Sequence, residues 1–410
     1  MKPDIYYFNP TCELAVANGS INYMASAKLR RFEEELSTLP GILALPKDLV
    51  LVNRRPSDQF KDQMQSAGFV LPVYEIEDNL YSDQAFEEKQ YGFLFPWGWS
   101  PSAHKLLLHF KPGCSSEFQT SSVCEWREIH RELYSRKSSL ELLTQFITKH
   151  NFDNILDIND LPEICTDQSQ IISLQKKWGK VVVKAPWSAS GRGLQILRPN
   201  EYNQTNSQVI GGFLKQQGYV VAGPWHDKLV DLSFQFFSRG NGKVEYKGVT
   251  TFSTDGKGRY SGNHIQEFPP DLESGVKEFM VENLPVIHNA VQNILNTSSY
   301  ATDYYGWLGV DAMIYKSEDG NLKIHPCLEI NCRFTMGAIA LKLRDHLAEG
   351  SVGEFKILHG KPGDLNHYCV DKMIIEPIER EKGKIEAGFL PLTPILPESS
   401  FGAFLRVMKK

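Results

Sequence analysis

The stretch Glu329-Ile330-Asn331-Cys332-Arg333 closes an apolar run that begins at Leu322, and it carries the most informative chemistry in the chain. Alternation along a strand places Glu329 and Asn331 on one face and the intervening apolar residues on the other. The polar atoms therefore converge, while the apolar side chains enter a core.

A second strand is predicted to face this one across a hairpin. Residues 307–316 have a strand pattern, and an Asp-Gly pair before the second strand is a strong hairpin signal. A three-residue loop, Asp319-Gly320-Asn321, puts Asp311 directly opposite Glu329. A two-residue loop would instead put Leu328 there, from the wrong face.

The facing acids predict a metal site. Like charges directly opposite each other on a sheet repel, so the pair calls for a compensating cation. The predicted ligands are all oxygen donors, which suit Mg²⁺ or Mn²⁺: Asp311, Glu329 and Asn331. Mg²⁺ also takes phosphate oxygens, and Arg333 could hold a phosphate beside it. The alternative is an exposed hairpin with solvated charges, which fits a lone acid pair better than a Glu-x-Asn-x-Arg run with a facing Asp.

Composition limits the classes of function. The 410 residues allow two or three domains. A net charge of −5 and a pI near 6.2 do not favour nucleic acid or a membrane as partner. The sequence shows no leader pattern and no long apolar run, so we expect a cytoplasmic protein. Its seven scattered cysteines lack a CxxC pair, which argues against a disulfide framework or a zinc site.

The pattern of elements predicts three parts. Strands alternate with helices at the start of the chain, which is typical of a small parallel α/β sheet. A polar segment at 115–122 predicts a linker, and β-like segments are predicted at 369–378 and 402–408. The predicted parts are an N-terminal α/β domain at 1–122, a second domain at 123–345 with a lid at about 165–225, and a C-terminal extension at 346–410 that packs on the core.

A phosphate-binding loop is predicted after a buried-type strand that ends in Lys184. Small residues let backbone N–H groups approach phosphate oxygens, and the lysine adds a charge. This differs from a P-loop, because the lysine precedes the glycines. The alternative is a simple Ser-Gly hairpin loop. The predicted phosphate contacts of the loop are Ser188, Ser190, Gly191 and Gly193.

A further lysine, Lys137, follows Ser135-Arg136 at a predicted helix start. Its alternative is a solvated basic turn. Taken together, these features resemble the ATP-grasp superfamily, whose members include biotin carboxylase and D-alanine:D-alanine ligase. In that resemblance Lys137 is similar to the first nucleotide lysine and Lys184 to the second. The Glu-x-Asn-x-Arg run and Asp311 match the metal-binding signature.

The resemblance covers residues of about 130 to 340 and implies a fold. It implies a small parallel α/β domain followed by an ATP-grasp fold of two α+β subdomains. It also implies a hinge that holds adenine, at Val221, Pro224 and His226. Many relatives have Glu where this chain has Gly223, so Asp231 is the expected replacement for the ribose contact. The alternative for Asp231 is a charge at a strand edge.

The implied activity is that of an ADP-forming ligase. The resemblance implies that ATP with Mg²⁺ (or Mn²⁺) phosphorylates a carboxylate, that an amine attacks the acylphosphate, and that Arg333 and Lys184 are catalytic. The implied partners are a small carboxylate and an amine. The resemblance is also compatible with a homodimer. The alternatives are a kinase with the same fold and a non-catalytic nucleotide-binding protein, which the missing Glu would favour. Candidate substrate loops are Asn9–Glu13, Pro96–Trp99 and Tyr260–His264.

Overall fold

The computed structural model describes residues 2–77, 90–188, 193–255, 260–265, 268–269 and 271–409. Within them the named strands form three sheets, of four, nine and four strands. No helix in these ranges is long and apolar enough to span a membrane. This mixed α/β architecture agrees with the predicted fold class.

The first sheet is parallel, as predicted, with the strand order β3-β2-β1-β4. Its strands are β1 (Ile5–Tyr7), β2 (Leu49–Val52), β3 (Val73–Ile76) and β4 (Leu94–Pro96). Its helices are α1 (Cys12–Asn18), α2 (Ala27–Glu35), α3 (Asp58–Ser66), α4 (Pro101–Leu106) and α5 (Ser116–Gln119). The predicted linker at 115–122 is wrong, since it contains α5 and its fully buried Phe118.

The second sheet is a small antiparallel one. Two helices precede it, α6 (Glu128–Leu133) and α7 (Arg136–Lys149). Its order is β5-β8-β6-β7. The strands are β5 (Glu163–Cys165), β6 (Val181–Lys184), β7 (Leu194–Leu197) and β8 (Val220–Pro224), with α8 (Gln168–Trp178) and α9 (Gln204–Gln217). Apolar residues from these strands and helices form a separate core, so this segment is a packed unit.

The third sheet is the largest, in the order β13-β12-β9-β10-β11-β14-β17-β16-β15. Its strands are β9 (Asp227–Arg239), β10 (Val244–Thr254), β11 (Tyr260–His264), β12 (Tyr305–Lys316), β13 (Leu322–Asn331), β14 (Ser351–His359), β15 (Glu379–Glu381), β16 (Lys384–Pro391) and β17 (Phe401–Lys409). Its helices are α10 (Ser274–Asn296), α11 (Ser299–Thr302), α12 (Met336–Arg344) and α13 (Asp364–Ile375). The last strands of the chain thus belong to this nine-stranded sheet, which we call the central sheet.

The sequence patterns missed α10 and misassigned α13. Residues 369–378 had a β-like pattern, yet most of them lie in α13. Two β-branched residues at its end, Ile374 and Ile375, are exposed, so they are not strand residues in a core. The helix is held through Leu365 and Cys369, four residues apart, which pack with Phe389 and Phe404. Tertiary packing therefore overrides strand propensity here.

The hairpin of β12 and β13 pairs Asp311 with Glu329 as predicted, but its loop position differs and a bulge shifts the register within it. Its loop is residues 318–320, one residue earlier than predicted, because Ser317 N–H donates to the carbonyl of Asn321 at 2.9 Å. Met313 faces His325, whereas Asp311 faces Glu329, so the register shifts between these pairs. Pro326 lies in the bulge, where its missing N–H breaks no ladder bond. The bulge holds an even number of extra residues, and Glu329 therefore stays on the predicted face.

The first sheet meets the central one around Gly98, which follows β4. Asn9 Nδ2 donates to the carbonyl of Gly98 at 2.8 Å, and Gly98 forms a backbone bridge with Arg333. A Cβ at Gly98 would collide with Cys12 Sγ and lie 3.0 Å from Arg333 Cβ. Only glycine allows this close approach.

Substitution of Gly98 should therefore destabilise the protein. We expect Gly98→Ala to lower the free energy of unfolding by about 1–3 kcal/mol, the usual effect of overpacking. The matched control is Gly212→Ala in α9, where a Cβ would meet nothing within 4 Å. That variant should gain about 0.5–1 kcal/mol from better helix propensity. Urea denaturation measures both, and equal effects of the two variants would contradict the packing argument.

Candidate functional site

The candidate site begins with a partly buried ion pair between Arg136 and Glu329. Arg136 Nη2 donates to both carboxylate oxygens of Glu329, at 3.0 and 3.1 Å. Its Nη1 donates to the carbonyl of Ala185 and to Ser188 Oγ. The Arg136 side chain is only 9% exposed. The cation that the acid pair calls for is thus supplied to Glu329 by the protein itself.

Arg136, and not Lys137, is the residue of this helix start that enters the site. Ser135 Oγ caps α7 by accepting from Ser138 N–H at 3.2 Å, which fixes the first turn. Successive side chains on a helix point about 100° apart, so only one of two neighbours can face inwards. The resemblance pointed to Lys137, whereas the structure turns its neighbour Arg136 towards Glu329 and leaves Lys137 exposed.

The second acid, Asp311, is held by neutral donors. Ser233 Oγ donates to its Oδ1 at 2.7 Å, and Asn331 Nδ2 donates to its Oδ2 at 3.0 Å. Burial raises the pKa of Asp311 to about 7, and the nearby Glu329 carboxylate adds to the increase. Asn331 Oδ1 in turn accepts from Arg333 Nη2 at 2.8 Å. The predicted metal ligands therefore lie together, with Arg333 next to them.

Lys184 ends β6 and lies close to this cluster. Burial lowers its pKa, and the Arg136 guanidinium lowers it further, whereas Glu329 and Asp311 raise it. Beyond the strand, Ala185 N–H donates to the carbonyl of Gly193 at 2.8 Å, which closes the loop that joins β6 to β7.

Two of the four predicted phosphate contacts of this loop, Ser188 and Gly193, lie within the residues that the structure describes. Ser188 is buried and accepts from Arg136. A Cβ at Gly193 would collide with the Ser188 side chain, so this close approach needs glycine. Ser190 and Gly191 lie outside the described residues.

The predicted hinge lies on β8, next to Lys184. Val221 is directly opposite Lys184 across the strand pair, and Pro224 is opposite Val181. The ring centroid of His226 lies 4.1 Å from that of Tyr315, and burial lowers the pKa of His226 to about 4. These residues thus border the cluster on the side of the small antiparallel sheet.

The structure gives a reason for glycine at position 223. A Cβ there would lie 3.0 Å from Pro162 Cγ, so a glutamate would require this proline to move. Asp231, the expected replacement, is buried on β9. Its Oδ2 accepts from Lys228 Nζ at 2.5 Å and from Thr254 Oγ1 at 2.9 Å. The ribose contact by Asp231 stays a prediction.

Comparisons with solved structures identify the fold of the chain. A biotin carboxylase from Campylobacter jejuni in complex with β-γ-ATP superposes with a TM-score of 0.51 at 10% identity, over 99% of this chain and 87% of that one. The biotin carboxylase domain of 2-oxoglutarate carboxylase from Hydrogenobacter thermophilus, a dimer with MgADP, ADP and bicarbonate, gives 0.50 at 12% identity, over 99% and 86%. The chain has the ATP-grasp fold.

Sequence comparison gives a distant curated relative of this chain, and no family model matches. The relative is the butirosin acyl-carrier protein–L-glutamate ligase of Niallia circulans, which is 23% identical over 307 residues. The aligned region covers 73% of this chain. The chain spans 64% of the length of that ligase.

Sequence reasoning named Glu13 only as the last residue of a candidate substrate loop, and the structure places it in α1 against Arg333 of the candidate site. Arg333 Nε donates to Glu13 Oε1 at 2.9 Å, although the two residues lie 320 positions apart. Glu13 is 5% exposed. The segment Asn9–Glu13 was a candidate substrate loop, and the structure brings this loop and Trp97-Gly98 to Arg333. The third candidate loop belongs to β11, where His264 Nε2 lies 3.1 Å from Ser253 Oγ.

The donor set fits a hard divalent cation that shares its coordination with phosphate. In the described parts of the chain, no group of three or more His, Cys, Asp or Glu side chains could hold a metal ion alone. Two carboxylates and an amide do meet, however, and Mg²⁺ takes one or two carboxylates and completes its shell with water and phosphate.

Removal of Arg136 should damage the site, whereas removal of Lys137 should not. In Arg136→Ala the carboxylate of Glu329 and Ser188 Oγ lose their partner, which should lower the free energy of unfolding by about 1–3 kcal/mol. Lys137→Ala on the exposed face should stay within about 0.5 kcal/mol of wild type. Chemical denaturation measures both variants. A larger loss in Lys137→Ala would reverse the assignment.

The raised pKa of Asp311 should make stability depend on pH. The folded-state pKa of about 7 lies above the usual 3.8, so between these values the folded protein binds more protons than the unfolded chain. The free energy of unfolding should therefore fall as the pH rises through that window in metal-free buffer. Asp311→Asn should remove this part of the slope. Urea titrations with EDTA test this, and parallel pH profiles of the two proteins would contradict it.

Proposed function

We propose that the chain is an ADP-forming ligase that activates a carboxylate as an acylphosphate and joins it to an amine. The observation that carries the proposal is the convergence of two acids, an amide and three cationic side chains at one site of an ATP-grasp fold. They are Asp311, Glu329, Asn331, Arg136, Lys184 and Arg333. A solved relative of this fold was obtained with MgADP.

Asp311, Glu329 and Asn331 would hold Mg²⁺, or Mn²⁺ with the same oxygen ligands. When bound, the ion supplies Lewis acidity and neutralises charge on the transferred phosphoryl group. Arg136 pairs with Glu329, whereas only neutral groups donate hydrogen bonds to Asp311, whose pKa is raised by burial. The pair therefore still lacks one positive charge. That supports a divalent cation between them.

The basic side chains have separate roles in the proposed reaction. The fork of Arg136 can exchange the Glu329 carboxylate for phosphate oxygens, which it matches in geometry. Arg136 then takes the part that the resemblance assigns to Lys137. Lys184 adds a point charge beside the phosphates. Arg333, on the far side of Asn331, would stabilise the transferred phosphoryl group and the acylphosphate.

The remaining predicted contacts complete a nucleotide site in this proposal. The loop from Ser188 to Gly193, with Ser190 and Gly191, would cover the phosphates. The hinge at Val221, Pro224 and His226 would hold adenine, and Asp231 would contact the ribose if it leaves Lys228. Burial of the hinge residue Val221 next to Lys184 supports a base site that adjoins the phosphate site.

The distant relative suggests the substrate class. Its name specifies an acyl-carrier protein and L-glutamate, so an amino acid is our first choice for the amine. A homodimer belongs to the proposal, because the biotin carboxylase domain was solved as a dimer. So does a cytoplasmic location, which the seven free cysteines support.

Nucleotide binding tests the site. Glu329→Gln and Lys184→Ala should each weaken Mg²⁺-dependent binding of ADP at least about tenfold, or about 1.4 kcal/mol, because each removes a full charge from the site. Isothermal titration calorimetry measures the affinity. The matched controls are Glu318→Gln and Lys316→Ala, which lie exposed on the β12–β13 hairpin and should bind as wild type does. Unchanged binding in both site variants would refute the assignment.

Product analysis tests the reaction. Wild-type protein with Mg·ATP should release phosphate only when a carboxylate and an amine are both present, and mass spectrometry should find the amide. A first panel pairs L-glutamate, glycine and ethylamine with small carboxylates and an acylated carrier protein. A stable phosphorylated product without an amide would identify a kinase instead.

A further inference from the structure

The junction between the first sheet and Arg333 lies at the edge where parallel sheets bind ligands. The chain leaves β1 towards β2 and returns on the other side of β1 as β4, so the connections diverge between β1 and β4. Ligands of open α/β sheets bind at such a switch point, outside the carboxyl ends of the strands. The loops that follow these two strands are the ones that touch Arg333.

The two loops are fixed against each other and against the central sheet. Asn9 donates to the carbonyl of Gly98 at 2.8 Å and accepts from its N–H at 3.3 Å. Phe334 N–H donates to the carbonyl of Trp97 at 2.8 Å. The junction of the two loops with the central sheet is therefore held by hydrogen bonds of the fold.

One carboxylate oxygen at this junction, Glu13 Oε2, has no hydrogen-bond partner among the described residues. Glu13 Oε1 accepts from Arg333, whereas Glu13 Oε2 is buried. A buried carboxylate oxygen without a donor is costly, and such an atom in a native protein calls for a ligand that donates to it. The charged groups that act on Glu13 are Arg333, Glu329 and Arg136, of which Arg333 is the strongest.

We propose that Glu13 binds the amine substrate of the ligase, as an ammonium group on Oε2, and accepts its proton during the reaction. This inference rests on the proposed function and adds to it the residue that receives the second substrate. The ligand class is a primary amine or an amino acid. Arg333 bridges Glu13 and Asn331, so the amine lies beside the acylphosphate that Arg333 would hold.

The groups already described account for every bond and proton in this step. The amine nitrogen attacks the carbonyl carbon of the acylphosphate, a C–N bond forms, the C–O bond to phosphate breaks, and inorganic phosphate leaves near Arg333. Conversion of the ammonium to the amide nitrogen releases two protons. The first passes to the carboxylate of Glu13 and frees the nitrogen lone pair for the attack, and the second leaves with the phosphate, which departs as hydrogen phosphate. Burial raises the pKa of Glu13 although Arg333 acts in the opposite direction, which suits this carboxylate to accept a proton.

A purely structural role for Glu13, as the anchor of Arg333, makes a different prediction. Glutamine at this position can still accept the hydrogen bond from Arg333 Nε through its amide oxygen. Its NH₂ group would then lie where the ammonium binds, and it can neither attract nor deprotonate the amine. Glu13→Gln therefore keeps the anchor and removes the proposed function.

The test titrates amines into full-length protein saturated with MgADP, for wild type and Glu13→Gln. The probes are L-glutamate, glycine and ethylamine, with glutarate as the analogue of L-glutamate that lacks the amine. We expect at least one amine to bind wild type and to bind Glu13→Gln at least about tenfold more weakly, or about 1.4 kcal/mol. Glutarate and MgADP should bind both proteins alike.

The control variant is Glu33→Gln. Glu33 holds the same loop, because its Oε1 accepts from Thr11 Oγ1 at 2.7 Å and from Thr11 N–H at 3.2 Å. An equal loss of amine binding in Glu33→Gln would trace the effect to loop order and overturn the proposal. So would equal amine affinity of wild type and Glu13→Gln, or no amine binding by wild type. Loss of MgADP binding by wild type would instead overturn the proposed function.

Discussion

The site depends on two partly buried carboxylates, Asp311 and Glu329, which face each other on neighbouring strands. Like charges in this position repel, so each neighbouring element must contribute a donor or a cation. Arg136 comes from α7, Ser233 from β9 and Asn331 from β13. The need to neutralise this pair explains why polar residues from separate segments lie together.

The same network joins the three sheets. Arg136 links Glu329 to Ala185 and Ser188 of the loop after β6, so the small antiparallel sheet is tied to the central one. Arg333 links the central sheet to Glu13 of the N-terminal part. Two arginines thus contribute side-chain contacts between the three sheets. A ligand that competes for either guanidinium would therefore weaken contacts between sheets.

Local sequence signals predicted the pairing of Asp311 with Glu329, but they did not predict the position of the loop or the bulge that produce this pairing. The predicted loop was one residue too late, and the bulge at Pro326 restored the pairing of Asp311 with Glu329. Glu329 stayed on the predicted face of the strand because the bulge shifts the register by an even number of residues. Residues 369–378 show the opposite case, since their β-branched pattern was overridden by packing of the helix against strands far along the chain.

The sequence by itself determined the strands that carry the site, the polar face of β13 and the lysine at the end of β6, because alternation and turn chemistry act over a few residues. The tertiary structure alone decided that Arg136 turns inwards beside Lys137, that Gly223 packs on Pro162, and that Glu13 meets Arg333. These choices depend on which surfaces pack together, and contacts between distant segments leave no periodic signal in one sequence.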